Sequence, residues 1–221
     1  MADAASTRME APLANESADE LAYELRSAEG ATWTAGKLLV GIGAFFYVGL
    51  GFAYFYLRSA NSYDLWRPHS VTAPVGTGTA IMAFTAAATG LLLFGLRQLR
   101  RNDVLAFDVA GWVAVLSGLL ALGLQCWELT DLPFAPATGG YTSVFIGWAV
   151  MNIMMLVSGI YWAETLLARR ARLRKAITEE GGAVRGVPSG IFRLNVDSCV
   201  YFWGFIAFVA VFFWIFFYIA G

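Results

Sequence analysis

Five stretches of the sequence contain no Asp, Glu, Lys or Arg and are each about long enough to cross a bilayer as a helix. A helix needs about 20 mostly apolar residues to do so. Its backbone groups must be satisfied within the segment, because lipid offers them no partners. The stretches are also too long for ordinary buried strands. We therefore predict an all-α polytopic membrane protein, a bundle of five spans at residues 38–57, 71–96, 109–127, 141–163 and 198–221.

The composition agrees with a membrane protein and argues against several other classes. Hydrophobic residues make up 58% of the chain and charged residues 14%, whereas soluble domains carry about 25% charge. A net charge of −1 gives no general basic surface, which argues against nucleic-acid binding. His69 is the one histidine in the sequence. A bis-histidine haem site or a histidine-rich metal site within this chain is therefore excluded.

Positive charge is distributed unevenly between the connecting segments. Of the 15 Lys and Arg residues, 13 precede the first span or lie in the second and fourth connections, and the other side has only Arg58 and Arg67. Because positively charged loops favour the cytoplasm, we predict a cytoplasmic N-terminus and an external C-terminus. The fourth connection, residues 164–197, is then a basic cytoplasmic loop. Its run Arg169–Lys175 extends the fourth helix, sets the topology and is a candidate for binding anionic headgroups.

Residues 1–32 differ from the rest of the chain in being strongly acidic. They contain seven Asp and Glu residues against two Arg. We predict a cytoplasmic N-terminal tail, with a short helix around Ala18–Ser27, that precedes a membrane domain over residues 33–221. A role of this tail as a docking arm for a partner is an alternative to a merely solvated segment.

Few polar side chains fall inside the predicted spans. Gln125 and Glu128 are three residues apart and share a helix face, close to the external end of the third span and, we expect, near water. They form either an interfacial polar cluster tied to Tyr141 or Arg58, or a contact with lipid or another subunit. Asn152 lies in mid-span, where an unpaired amide is costly, so we expect it to hydrogen-bond across a helix interface.

Redox and metal chemistry find little support in these residues. Cys126 and Cys199 are predicted at opposite ends of the bundle, about 30 Å apart, and a disulfide needs Cα atoms within about 7 Å. The three methionines within three residues of Asn152 favour packing over copper ligation, because soft metal sites normally add His or Cys. The charge-free spans also argue against a pump, a charged channel or an independent transporter.

A series of short motifs, taken in order over about residues 33–221, resembles subunit III of the haem–copper terminal oxidases, the cytochrome c oxidase subunit III family. The five-span layout is similar to the short bacterial form, which lacks the first two of seven helices. The matching segments are Gly43–Phe46 through Ala53–Arg58, Trp66-Arg67-Pro68, Leu122-Gly123 with Gln125 and Glu128, Gly140-Tyr141-x-Ser143-x-Phe145 with Gly159, and Tyr201-Phe202-Trp203 with the aromatic residues after it.

The chain departs from the family pattern at buried polar positions. Gly43 and Ala44 stand where the family has a Ser-Glu pair, and Asn152 and Met155 align with two histidines. The last helix, normally Trp-His-Phe-Val-Asp, reads Trp203-Gly204-Phe205-Ile206-Ala207. The resemblance therefore implies roles in assembly and lipid binding, and the departures argue against a part in proton delivery.

The resemblance implies a non-catalytic subunit of an aerobic respiratory oxidase in the bacterial inner membrane. Haem and copper would be carried by the partner subunits I and II, and this chain would bind no cofactor itself except phospholipid. An accessory subunit associated with nitric oxide reductase and an unrelated membrane carrier are the alternatives. The candidate contacts with lipid, neighbouring helices or neighbouring subunits are Arg58, Trp66, Gln125, Glu128, Tyr141 and Asn152.

Overall fold

The computed structural model describes residues 3–61, 66–67, 71–179 and 190–220. Within them the chain is helical and contains no strand. Five helices are long and apolar enough to cross a membrane, which confirms the all-α class and the five spans and supports a multi-pass membrane protein. They are α1 (Asp3–Ser59), α2 (Val75–Arg100), α3 (Val104–Thr130), α4 (Gly140–Glu179) and α5 (Gly190–Trp214), which continues as a π-helical turn over Ile215–Ile219; a short 3₁₀ helix covers Pro136–Thr138.

Most helix ends lie beyond the charge-free stretches, and local chemistry sets several of them. α2 begins at Val75, four residues later than predicted, because Pro74 caps it in an extended conformation. Asp103 caps α3, since its side chain accepts a hydrogen bond from Ala106 N at 3.1 Å. Between the two helices Asn102 has a φ of 62°, a left-handed conformation that Asn tolerates better than most residues.

Two helices are much longer than a membrane span. α1 has 57 residues, so the short helix predicted over Ala18–Ser27 is part of a continuous helix that begins at Asp3. α4 has 40 residues and ends at Glu179, which confirms that the basic run Arg169–Lys175 extends the fourth helix. Residues 180–189 of the predicted basic loop lie outside the described residues.

α4 and α5 each contact three other helices of the bundle. α5 packs against α1, α2 and α4, while α2 and α3 form an antiparallel pair and α4 also contacts α1 and α3. Trp203 of α5 is fully buried, and its Nε1 donates to Gly159 O of α4 at 3.1 Å. A Cβ atom on Gly118 of α3 would lie 2.8 Å from the Trp203 ring. Small residues on two helices therefore let the bulky Trp203 side chain of α5 enter the core.

Charged groups join the helices at one end of the bundle, which we call the arginine end. Arg100 of α2 pairs with Asp197 of α5 at 2.7 Å, and Arg170 of α4 pairs with Asp108 of α3 at 2.8 Å. Arg193 also donates to the Asn102 side chain at 2.8 Å. These contacts lie at the surface or close to it, so water competes for each of them.

Candidate functional site

At the opposite end, four buried polar side chains from three helices form one continuous hydrogen-bonded series, which we call the polar chain. Asn152 of α4 donates from Nδ2 to Gln125 Oε1 at 2.8 Å. Gln125 of α3 donates from Nε2 to Glu128 Oε2 at 2.7 Å. The hydroxyl of Tyr218, after α5, donates to Glu128 Oε1 at 2.7 Å. The polar chain therefore connects α3, α4 and the end of α5.

The expectation that Glu128 lies near water is wrong. Its exposed fraction is 2%, and Gln125 and Asn152 are fully buried. The reason is that α3 continues to Thr130, while Tyr218 covers the carboxylate from α5. The hydrogen bond expected of Asn152 across a helix interface is confirmed, with Gln125 as its partner.

Tyr218 is the residue that sequence analysis missed. The last span contains eleven aromatic residues in close succession, and nothing in that pattern distinguishes the one hydroxyl that reaches Glu128. A helical wheel of α5 alone does not reveal it either, because the final turn is π-helical and rotates the side chains after Trp214. Sequence analysis considered Tyr141 and Arg58 as partners of Gln125 and Glu128. Tyr141 instead donates to Phe217 O, and Arg58 donates to Tyr54 OH.

Tyr141 and Tyr54 hold the last turn of the fifth span. A helix leaves its final four carbonyl groups without partners inside the helix. Tyr141 OH donates to Phe217 O at 2.8 Å, and Tyr54 OH donates to Phe216 O at 3.0 Å. Both tyrosine rings are fully buried. Two residues from α1 and α4 thus satisfy carbonyl groups that would otherwise lie unpaired in an apolar setting.

Arg58 and Trp66 lie beside these tyrosines but differ in exposure. Arg58 is exposed, and its Nη1 donates to Tyr54 OH at 3.0 Å. Trp66 is 7% exposed, with its ring edge-on to Tyr54 at a centroid distance of 5.0 Å. Its carbonyl oxygen accepts from Tyr141 N at 2.9 Å. Arg58 is thus open to a headgroup, whereas Trp66 packs inside this end of the bundle, which we call the tyrosine end.

A cavity of about 250 Å³ opens beside the polar chain. Glu128 lines it together with Asp131, so two carboxyl groups border the same space. The remaining lining residues are Thr72, Pro74, Thr77, Trp127 and Pro133. The cavity thus borders the edge of a network that is otherwise buried.

The described residues contain no group of three or more His, Cys, Asp or Glu side chains that could hold a metal ion. Cys126 is exposed and Cys199 is buried, and both are free, as the predicted separation requires. His69 lies outside the part of the chain that the structure describes.

Comparison with known protein families finds no family model that matches the chain, and comparison with curated proteins finds no match either.

Proposed function

We propose that this chain is a non-catalytic membrane subunit of an aerobic respiratory terminal oxidase, similar to subunit III of the haem–copper enzymes. The observation that carries the proposal is the convergence of the resembling motifs. The Gln-x-x-Glu segment of α3 and the Gly-Tyr-x-Ser-x-Phe segment of α4 both place a side chain on the end of the fifth span. Glu128 accepts from Tyr218, and Tyr141 donates to Phe217 O. Two motifs that are separate in sequence thus both hold the end of the fifth span.

The positions that depart from the family pattern favour a structural role for the chain and argue against a role in proton delivery. Met155 and Phe205 pack over Gly43: a Cβ atom there would lie 2.8 Å from Met155 Cε and 2.9 Å from Phe205 Cε1. Apolar contacts therefore occupy a place where the family has ionisable or polar groups. A packed apolar junction cannot carry protons, but it can hold α1, α4 and α5 together.

In this proposal the haem and copper lie in the partner subunits I and II, and the chain stabilises that core and holds phospholipid against it. The N-terminus is cytoplasmic and the C-terminus external, in a bacterial inner membrane. The outer face of α1 suits such contacts, since Phe45, Val48 and Phe52 are each more than 70% exposed. An apolar face of this kind needs lipid or another membrane protein beside it.

Capture of the tagged full-length chain from its native membrane tests the proposal. We expect it to bring down a large haem-bearing membrane protein, detected by a reduced-minus-oxidised absorption spectrum and by subunit composition. After dissociation, the chain alone should show no haem absorption and no oxygen consumption. An unrelated tagged multi-pass protein from the same membrane is the control.

Two other outcomes would overturn the proposal. Capture of a complex that reduces nitric oxide and not oxygen would move the chain to the nitric oxide reductase alternative. Capture without any haem protein, together with solute uptake by the purified chain in liposomes, would favour a carrier.

A further inference from the structure

The polar chain has a direction that its carboxylate imposes. Both oxygens of the Glu128 carboxylate accept hydrogen bonds, one from Tyr218 and one from Gln125. The Gln125 amide turns its NH₂ group towards Glu128 and its oxygen towards Asn152. Asn152 in turn must donate from Nδ2. Its own oxygen, Oδ1, is left facing away from the series.

Asn152 Oδ1 is buried and has no hydrogen-bond partner among the described residues, and Trp148 Nε1 is buried and unpartnered in the same part of the chain. The two residues are four apart on α4, so they lie on one face, one turn from each other. One is an acceptor and the other a donor. Trp148 is 2% exposed and Asn152 is fully buried, so bulk solvent does not satisfy either atom.

The neighbouring side chains do not offer alternative partners. The Trp148 ring lies near the rings of Phe213 and Phe217, at centroid distances of 6.1 and 5.5 Å. The Tyr218 ring is 6.4 Å away, and its hydroxyl oxygen does not accept from Trp148 Nε1. An unpaired buried polar group costs about 1–3 kcal/mol, and internal water commonly satisfies such groups.

We propose that Trp148 and Asn152 bind one internal water molecule, which accepts from Trp148 Nε1 and donates to Asn152 Oδ1. This water prolongs the polar chain by one turn of α4, from mid-span back towards the tyrosine end. The site does not depend on the oxidase proposal.

Water-to-indole magnetisation transfer in the full-length chain, reconstituted in lipid nanodiscs with ¹⁵N-labelled tryptophan, tests the site. Trp203 is the matched control, because it is also buried and its Nε1 is bonded to Gly159 O. We expect a rotating-frame Overhauser cross-peak to water at the Trp148 indole and none at the Trp203 indole. The variants Trp148→Phe and Trp203→Phe assign the two indole signals. If the Trp148→Phe variant does not fold, Trp148→Tyr is used in its place.

Asn152→Leu provides a second readout. It removes the acceptor and should abolish the water cross-peak while the Trp148 indole signal itself remains. Met155→Leu, a substitution of similar position without a polar change, should keep the cross-peak. Absence of a water cross-peak at Trp148 in the unmodified chain overturns the proposal. So do equal cross-peaks at Trp148 and Trp203, which would indicate general water penetration.

Discussion

The tyrosine end and the arginine end both join helices of the bundle, but through different chemistry. At the arginine end, Arg100 and Asp197 form an ion pair whose side chains are 63% and 30% exposed. At the tyrosine end, Glu128 is 2% exposed and both of its oxygens accept hydrogen bonds, one from Gln125 on its own helix and one from Tyr218 after α5. The two ends have similar numbers of hydrogen bonds and ion pairs between helices, but those at the arginine end are more exposed to water.

This difference determines what each end contributes. Exposed ion pairs contribute about 0–1 kcal/mol, since water and salt screen them. A buried hydrogen bond adds little to the net free energy of unfolding while both partners are present. Each buried donor or acceptor that loses its partner, however, lowers that free energy by about 1–3 kcal/mol. The exposed Arg100–Asp197 pair can therefore be lost at little cost. The tyrosine end tolerates few changes and fixes where the fifth span ends.

Replacing the carboxylate should have the largest effect. Glu128→Leu leaves Gln125 Nε2 and Tyr218 OH without partners, so we expect the free energy of unfolding to fall by about 2–6 kcal/mol, with two donors orphaned. Denaturation in mixed micelles measures it. Glu164→Leu, at an exposed carboxyl group of α4, is the control and should change stability little. Equal losses for the two variants would contradict the comparison.

Crowding at α2 should have the next largest effect. A Cβ atom on Gly78 would overlap the Tyr218 ring, whereas one on Gly76 would meet nothing within 4 Å. Overpacking of a filled core costs about 1–3 kcal/mol, so we expect Gly78→Ala to destabilise the protein by that amount and displace Tyr218 from Glu128. Gly76→Ala should be neutral or slightly stabilising, because Ala favours helix. Thermal unfolding of both variants measures the difference, and a neutral Gly78→Ala would refute the packing at this end.

A single hydroxyl should have a moderate effect. Tyr141→Phe removes the donor to Phe217 O and should cost about 1 kcal/mol. Tyr161→Phe is its control, because Tyr161 is 70% exposed and its hydroxyl faces surroundings outside the bundle. Amide hydrogen exchange near Phe217 should also rise in Tyr141→Phe and stay unchanged in Tyr161→Phe. Identical exchange in the two variants would show that the hydroxyl does not hold this turn.

Removing a charge at the arginine end should have the smallest effect on stability. Arg100→Gln should lower the free energy of unfolding by less than about 1 kcal/mol. The loss should shrink further at about 1 M salt, where exposed charges are screened within about 3 Å. Denaturation at low and high salt checks this. A loss as large as that of Glu128→Leu, insensitive to salt, would erase the distinction between the two ends.

Sequence patterns predicted the five spans because charge-free length is a direct consequence of bilayer thickness, and they placed Gln125 and Glu128 on one face from spacing alone. They also predicted the cross-helix bond of Asn152 from the cost of an unpaired amide. They failed for Glu128 burial and for Tyr218, because both depend on how the last turn of α5 lies over α3. Neither residue's own segment contains that information. Nothing in the sequence indicates that Trp148 Nε1 lacks a hydrogen-bond partner, because this depends on how side chains of three helices are arranged.

The most direct test of the account measures the haem–copper oxidase content of native membranes, by reduced-minus-oxidised spectra and oxygen consumption, with and without this chain. The account predicts that removal of the chain lowers both. It also predicts that the unmodified chain and Glu164→Leu restore them, whereas Glu128→Leu restores them poorly because the tyrosine end no longer holds. Unchanged oxidase content and oxygen consumption in membranes that lack the chain would contradict the account.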